Sequence, residues 1–282
     1  MKRLIVAADD LGLTKSVNEG IARSYEEGIV TSLNLLPSGE AFSGALSLAG
    51  EIGLDEAGAH LALTETSAVT EASRIPSLVD SSGRFYKGHA DFLLKYISGA
   101  IRADEIYVEW KAQLERARDS GIRITNLSSH EHIHMLPELF DILIKLAKEY
   151  DIPAVRFPHA DRSRSRWGIK SISKRLALSL FEGNMAKTIR ASGMLAPDHF
   201  LGFLDSGNIT EAVLLDILSN LEDGTTELVC HPGFLAPEVL ERYRFHRNSE
   251  AELFALTSRR VKKSAAENNV SLISYSEFLL RE

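Results

Sequence analysis

Leu4-Ile5-Val6-Ala7-Ala8-Asp9-Asp10-Leu11-Gly12 joins a short, uninterrupted apolar run to a pair of aspartates near the N-terminus. An apolar run that does not alternate with polar residues is typical of a strand buried on both faces, as in a parallel sheet. An amphipathic pattern predicts a helix over residues 17–27, and residues 29–36 predict a second strand. The pattern therefore indicates an α/β fold whose first strand ends in two carboxylates.

The same alternation continues along the chain. Further strands are predicted at 57–63, 122–127, 154–157, 198–203, 226–230 and 270–274. Helices are predicted at 42–52, 104–120, 137–150, 172–192, 210–222, 249–268 and 276–281, with one more before residue 104. Seven or eight strands, each followed by a helix, predict a closed, mostly parallel barrel. A chain of 282 residues suits one such barrel, and no repeat or linker composition divides it, so we expect a single catalytic domain over residues 1–282.

Two polar segments interrupt this alternation. Residues 64–88 contain Pro76 and Gly83 and predict a long loop, which is uncommon in a compact domain unless it has a function. Residues 158–170 are basic, and the pattern leaves open whether they form a solvated loop or one that contacts substrate. This basic segment contains Arg162, Arg164, Arg166 and Trp167.

Composition narrows the class of protein. A net charge of -7 without a dense basic patch argues against a nucleic-acid partner. No apolar run approaches the roughly 20 residues of a membrane span, and the N-terminal run is too short for a signal peptide. A single cysteine suits a reducing compartment. These features predict a cytoplasmic enzyme without stable membrane insertion, and they leave open whether it forms a homodimer.

Polar side chains stand where the predicted strands end. Asp9 and Asp10 end the first strand, and His60 lies near the end of the third. The segment Ser129-His130-Glu131-His132-Ile133-His134 follows the fourth strand, and His231 follows the strand at 226–230. Because the carboxyl ends of parallel barrel strands form one mouth, we expect these groups to meet there.

The histidine-rich segment holds three of the nine histidines of the chain. Imidazole is the commonest metal ligand and the usual acid or base near pH 7. An extended chain would place the three rings on one face, whereas a turn would separate them. One metal ligand with two substrate-binding or supporting groups is favoured, because three imidazoles leave little room for a carboxylate and an open position.

The other strand-end residues allow complementary roles. Asp9 and Asp10 should point in different directions, since side chains alternate along a strand, so that one could bind a metal while the other accepts a proton. His231 precedes Pro232 and is an acid or base candidate. His60 alone fits a hydrogen-bonded core histidine, and a ligand role depends on other ligands converging on it.

Four motifs, in this order, resemble the YdjC-like carbohydrate deacetylases, a family that includes chitooligosaccharide and hopanoid-biosynthesis-associated deacetylases. They are Ala8-Asp9-Asp10-Leu11-Gly12, Gly58-Ala59-His60-Leu61, Ser129-His130-Glu131-His132-Ile133-His134-Met135 and Cys230-His231-Pro232-Gly233. The segment 243–253 also fits the family, so the resemblance covers nearly the whole chain. It implies a distorted (β/α) barrel of the glycoside hydrolase/deacetylase type and hydrolysis of an N-acetylated sugar to acetate and a free amine.

The resemblance also implies one divalent metal ion, held by Asp10, His60 and His130. A carboxylate with two imidazoles suits zinc, and also cobalt or nickel. Family descriptions invoke magnesium as well, so the identity of the metal stays open.

The remaining site residues follow from the same resemblance. Asp9 corresponds to the general base, and His231 to the group that protonates the leaving amine. We expect His132, His134 and Arg156 to bind substrate or to support the site from behind.

This chain departs from the family at one position beside the site. Many members have Asp-Ser-His where this chain has Ser128-Ser129-His130. The change puts a hydroxyl at Ser128 where a carboxylate is common. It therefore puts in question whether chitooligosaccharide is the substrate, and whether the metal ligands are supported in the usual way.

Two other classes of protein fit parts of the pattern. One is a different barrel metal hydrolase, such as an amidohydrolase or a phosphoesterase, but these typically begin with His-x-His on the first strand. The other is a histidine-rich metal-binding protein without catalysis, which would not need an acid–base pair on other strands.

Overall fold

In the part of the chain that the structure describes, eight strands alternate with helices. The computed structural model describes residues 1–159 and 169–281, with the backbone alone over residues 169–178. The strands are β1 (Lys2–Leu11), β2 (Ser32–Leu35), β3 (Glu56–Leu61), β4 (Arg123–Ser129), β5 (Ala154–Val155), β6 (His199–Leu201), β7 (Gly224–Cys230) and β8 (Val270–Leu272).

The α-helices of the described residues fill the connections between these strands. They are α1 (Lys15–Glu27), α2 (Phe42–Glu51), α3 (His89–Ile97), α4 (Ala103–Arg118), α5 (Pro137–Glu149), α6 (Ile169–Ser192), α7 (Glu211–Ser219), α8 (Pro237–Arg242), α9 (Ser249–Leu256), α10 (Arg259–Glu267) and α11 (Tyr275–Leu279). Short 3-10 helices occur at Ala72–Arg74, His130–Met135 and Arg244–Asn248.

The strands form one parallel, curled sheet with β1 near its centre. The order across the sheet is β5-β4-β3-β2-β1-β7-β6. One edge of β1 pairs with β7, while the other is shared by β8 beside Lys2–Leu4 and by β2 farther along. Leu195, just before β6, bridges to Ala154 of β5 and brings the two sheet edges towards each other. The prediction of a distorted (β/α) barrel is confirmed.

The apolar run that begins this chain forms the centre of the sheet. Every residue from Leu4 to Ala8 is fully buried, as the absence of polar alternation predicted. Near the end of the strand, Asp10 adopts a left-handed backbone conformation with φ 70°. Gly12 also has a positive φ, and a Cβ at this position would collide with the carbonyl oxygen of Leu36. The sequence thus turns sharply where β1 delivers its aspartates.

One helix prediction was wrong. The predicted helix over 249–268 is two helices, α9 and α10, which are separated at Thr257 and Ser258. The Ser258 side chain accepts a hydrogen bond from the backbone of Arg260 and begins α10 as an N-cap. After the break, α9 packs against α1 and the 3-10 helix Arg244–Asn248, whereas α10 packs against α7 and β8.

The long loop at residues 64–88 is fastened to the barrel. Isolated bridges pair Thr64 with Tyr86 and Ser67 with Arg84. The buried Glu109 carboxylate of α4 accepts hydrogen bonds from the backbone of the loop at residues 69 and 70, each 2.9 Å long. The loop therefore forms an ordered wall at the carboxyl end of β3.

None of the helices in the described part of the chain is long and apolar enough to cross a membrane. The predicted basic loop at 158–170 lies mostly outside the described residues.

Candidate functional site

The groups predicted to meet at the barrel mouth do meet there. Asp9 and Asp10 end β1, His60 lies in β3, and His130 and His231 directly follow β4 and β7. All five side chains are buried. Strand ends thus place the predicted acid, base and ligand candidates within one small volume.

Asp10, His60 and His130 form a group suited to a metal ion. One ligand atom from each lies within 4.8 Å of the others. Asp10 Oδ1 is 2.9 Å from His130 Nδ1 and 3.6 Å from His60 Nε2. One carboxylate and two imidazoles match the donor set of a catalytic zinc-type site, in which a position is left open. The residues of this chain therefore fit a divalent cation.

His60 is oriented by Ser128 from the neighbouring strand. The two residues are register partners in β3 and β4, and Ser128 Oγ lies 2.7 Å from His60 Nδ1. A hydrogen bond at Nδ1 leaves Nε2 facing the aspartates. The departure from the family motif therefore acts on His60, rather than on His130 two residues farther along the same strand.

Asp9 is held as a carboxylate by a buried arginine. Arg156 donates to both of its oxygens at 2.6 and 2.9 Å, and Asn34 donates to Oδ1 at 2.7 Å. Arg156 also donates to Glu227 at 2.9 Å, so the guanidinium lies between two carboxylates. Burial alone would raise the pKa of Asp9, but Arg156 and the nearby imidazoles hold it well below its usual range. Asp9 is therefore ionised at neutral pH, and Arg156 supports the site from behind.

His231 directly follows β7, the strand that pairs with β1, and faces Asp9. Its Nε2 lies 3.8 Å from Asp9 Oδ2, and its ring packs edge-on against Phe245 with 4.7 Å between centroids. Burial lowers the pKa of His231 to about 4, against the opposing effect of the aspartates. The imidazole is thus neutral near pH 7, so it must gain a proton before it can act as the predicted acid.

The three clustered histidines diverge. Glu131 and His132 both have φ 53°, so the chain turns into a 3-10 helix instead of staying extended. His132 packs edge-on against Phe203, with 5.0 Å between centroids, and lines the cleft. His134 is fully buried, with Nδ1 2.6 Å from Ser129 Oγ, and supports the loop from behind.

Sequence reasoning missed two residues at the site. His246, in the 3-10 helix Arg244–Asn248, is buried with Nε2 3.0 Å from Asp10 Oδ2. Glu65 has φ 62° and places Oε2 3.1 Å from His130 Nε2. His246 falls inside the tail segment that resembles the family, which was the available signal; Glu65 follows the end of β3 by only four residues.

A cleft of about 440 Å³ opens over these groups. This volume lies within the range of small-molecule sites. Aromatic side chains, Phe203 and Phe245, line one part of it, and the carboxylates of Glu65 and Glu131 line another. Such a mixture can contact both the apolar face and the hydroxyl groups of a small polar ligand.

Comparison with known proteins finds relatives that match this chain over almost its whole length. A family model described as YdjC-like protein matches residues 3–267. A carbohydrate deacetylase of Brevibacillus brevis is 33% identical over 98% of this chain and 99% of its own length. One from Thermoanaerobacter pseudethanolicus is 30% identical, with the same coverage. The crystal structure of a candidate cellobiose-phosphate cleavage protein from Enterococcus faecalis is 26% identical, with a TM-score of 0.76 over 98% of both chains.

Proposed function

The chain belongs to the YdjC-like protein family, and from that premise we propose that it is a metal-dependent carbohydrate N-deacetylase. The reaction is hydrolysis of an N-acetyl group on an amino sugar, which gives acetate and a free amine. Relatives named carbohydrate deacetylases match along almost the full chain. The observation that carries the proposal is the Asp10–His60–His130 group beside the Asp9–His231 pair. Four of these residues, Asp9, His60, His130 and His231, line one cleft.

Asp10, His60 and His130 would hold a single divalent ion. Bound there, such an ion polarises an amide carbonyl and makes water more acidic. Zinc, cobalt and nickel suit two imidazoles and a carboxylate, whereas magnesium prefers more oxygen ligands.

Asp9 acts as the general base in this proposal. It is ionised, and Arg156 fixes its orientation through two hydrogen bonds. Oδ2 accepts from Arg156 alone at hydrogen-bond distance among the described residues, and it faces His231. That oxygen can therefore take a proton from the attacking water as the carbon–oxygen bond forms.

His231 delivers the proton to the leaving nitrogen. Its Nε2 is 3.8 Å from Asp9 Oδ2, so a small movement allows the proton taken by Asp9 to pass to the neutral imidazole. The carbon–nitrogen bond then breaks as the amine is protonated, and Asp9 returns to its ionised state. A correctly placed acid or base contributes ~10²–10⁴-fold in rate.

The cleft would bind the sugar through its two kinds of lining. Phe203 and Phe245 offer surfaces for the apolar face of a pyranose, and Glu65 and Glu131 offer acceptors for its hydroxyls. The ordered loop at 64–88 carries Glu65 and would limit the length of the sugar chain.

An acetate-release screen tests the proposal. The substrates are N-acetylglucosamine, its short oligomers, N-acetylated disaccharides and lipid-linked forms, each with zinc, cobalt, nickel or magnesium. We expect release from at least one substrate, abolished by a chelator and restored by the metal. Release that persists unchanged after metal removal would refute the metal dependence, and no release from the whole panel would refute the deacetylase assignment.

A further inference from the structure

His246 makes a direct contact with a proposed metal ligand although it lies far from it in sequence. His246 Nε2 is 3.0 Å from Asp10 Oδ2, and both side chains are almost completely buried. No strand carries His246; the 3-10 helix Arg244–Asn248 brings it over the end of β1. The contact therefore links the connection after β7 to the carboxylate of β1.

The surroundings of His246 indicate which ring nitrogen carries the proton. Its Nδ1 is buried and has no hydrogen-bond partner among the described residues. A buried N–H without an acceptor is costly and rare in proteins, so a proton at Nδ1 is disfavoured. An ionised carboxylate such as Asp10 can only accept a hydrogen bond. The donor is then Nε2, which donates to Asp10 Oδ2.

This hydrogen bond divides the two oxygens of Asp10 between two tasks. Oδ2 accepts from His246, while Oδ1 faces His130 at 2.9 Å and His60 at 3.6 Å. We propose that His246 is a positioning residue, which holds Asp10 so that Oδ1 alone is presented to the metal. The inference rests on the proposed function, because it assigns His246 a role towards the same ion.

A hydrogen bond from helix α9 holds the backbone of His246 in place, as a positioning role requires. Ser249 at the start of α9 donates a hydrogen bond to the backbone carbonyl oxygen of His246 at 2.8 Å. Glu252, one turn farther along α9, accepts from the backbone N–H of His231 at 2.8 Å. One helix thus fixes both His246 and His231 relative to the aspartates.

Metal affinity provides the test, since a merely structural histidine would not affect it. Zn²⁺ and Mg²⁺ binding to the purified full chain is measured by calorimetry or chelator competition, with thermal unfolding followed in parallel. Loss of a group that orients a ligand typically weakens metal binding ~10–100-fold. We expect His246→Ala to show that loss and His246→Gln to recover most of it, because the side-chain amide can donate to Oδ2.

Two further variants make the comparison sharper. His199→Ala removes a histidine at the start of β6, remote from the mouth, and should leave metal affinity unchanged. Should His246→Ala not fold, His246→Met against His246→Gln compares side chains of similar size without and with a donor. Equal affinity of wild type and His246→Ala, or equal weakness of the Gln and Met variants, would overturn the inference alone. A wild type that binds neither Zn²⁺ nor Mg²⁺ would count against the proposed metal dependence, and against this inference with it.

Discussion

Asp9 and Asp10 are adjacent carboxylates that both lie near His60 but differ in their hydrogen-bond partners. Asp9 faces Arg156 and Asn34, whereas Asp10 is surrounded by imidazoles. The alternation of side chains along a strand predicted that they would point in different directions. Instead, Asp9 Oδ2 lies 3.7 Å and Asp10 Oδ1 3.6 Å from His60 Nε2, and the left-handed backbone of Asp10 interrupts the alternation. Their remaining partners differ, which allows one residue to serve as base and the other as metal ligand.

Arg156 should be needed for both stability and turnover. Arg156→Met leaves Asp9 and Glu227 as buried, unpaired carboxylates, and breaking a buried ion pair in this way costs about 3–5 kcal/mol. Urea unfolding measures that loss. Acetate release should also fall, since the orientation of Asp9 is lost.

Arg156→Lys serves as the matched variant for this prediction. It keeps the charge but not the planar, two-pronged donor, so stability should recover more than activity. Full activity in Arg156→Met would show that Asp9 needs no orientation by the guanidinium.

Ser128 offers a second prediction at the level of single residues. Ser128→Ala removes the partner of His60 Nδ1, and Zn²⁺ affinity should fall by about tenfold or more. Ser128→Asp restores the residue common in the family and should bind Zn²⁺ more tightly than wild type, because a carboxylate makes the imidazole a stronger ligand. Unchanged affinity in both variants, measured by chelator competition, would show that this contact does not tune the site.

The residues that sequence could find are those at strand ends. Asp10, His60 and His130 follow apolar runs, and parallel strands bring their carboxyl ends together whatever the loops do. His246 and Glu65 stand on a 3-10 helix and a loop, where no periodicity fixes the direction of a side chain. Their positions depend on packing that only the folded chain reveals.

At the level of elements, helix α4 orders the long loop that walls the cleft. Glu109 accepts the backbone N–H groups of residues 69 and 70, and Gln113 binds both the N–H and the carbonyl oxygen of Ala62. The prediction of a long loop was therefore confirmed. Its fastening could not be predicted, because it depends on buried polar residues of a helix more than 30 positions away.

Glu109→Gln should loosen this loop. The amide group places a donor against a backbone N–H, and an unsatisfied buried hydrogen-bonding group costs about 1–3 kcal/mol. Hydrogen exchange at residues 69 and 70 should become faster, and KM should rise more than kcat falls. Glu115→Gln, on an exposed position of the same helix, is the control. Unaltered exchange in Glu109→Gln would show that the loop is held by other contacts.

The division between α9 and α10 depends on a serine. No glycine or proline marks the break at Thr257 and Ser258, which explains why periodicity alone predicted one helix. The Ser258 hydroxyl accepts a hydrogen bond from the backbone N–H of Arg260 and donates one to Glu211 of α7, and the chain turns there.

At the scale of the whole molecule, the alternation of apolar runs and helices predicted a closed parallel barrel. The observed parallel sheet is curled, and an isolated bridge joins its edges within the described residues. The short edge strands of the sheet could not be predicted in detail. They are β5 and β6, which have only two and three residues and show no periodicity. Leu195 bridges these edges instead of a longer strand pair. The central position of β1 explains why its aspartates can contact Asn34 of β2, His60 of β3, and Arg156 and His231, which directly follow β5 and β7.

A bound metal should stabilise the whole barrel, since its ligands come from three separate segments. A ligand that binds only the folded state adds about 2.7 kcal/mol at a concentration 100 times its Kd. Thermal unfolding of wild type should therefore shift upwards with Zn²⁺ and downwards with a chelator, and His60→Ala should respond to neither. Equal shifts in wild type and His60→Ala would place the metal elsewhere.

In the proposed mechanism, Asp10, His60 and His130 bind the metal while Asp9 performs the proton transfer. This division of roles is tested most directly by acetate release from Asp9→Asn, measured per equivalent of bound metal beside wild type and His60→Ala. We expect Asp9→Asn to retain its metal and to lose ~10²–10⁴-fold in rate, whereas His60→Ala should lose the metal itself. An Asp9→Asn variant that keeps near wild-type turnover, or a His60→Ala variant that keeps its metal, would contradict this assignment of roles.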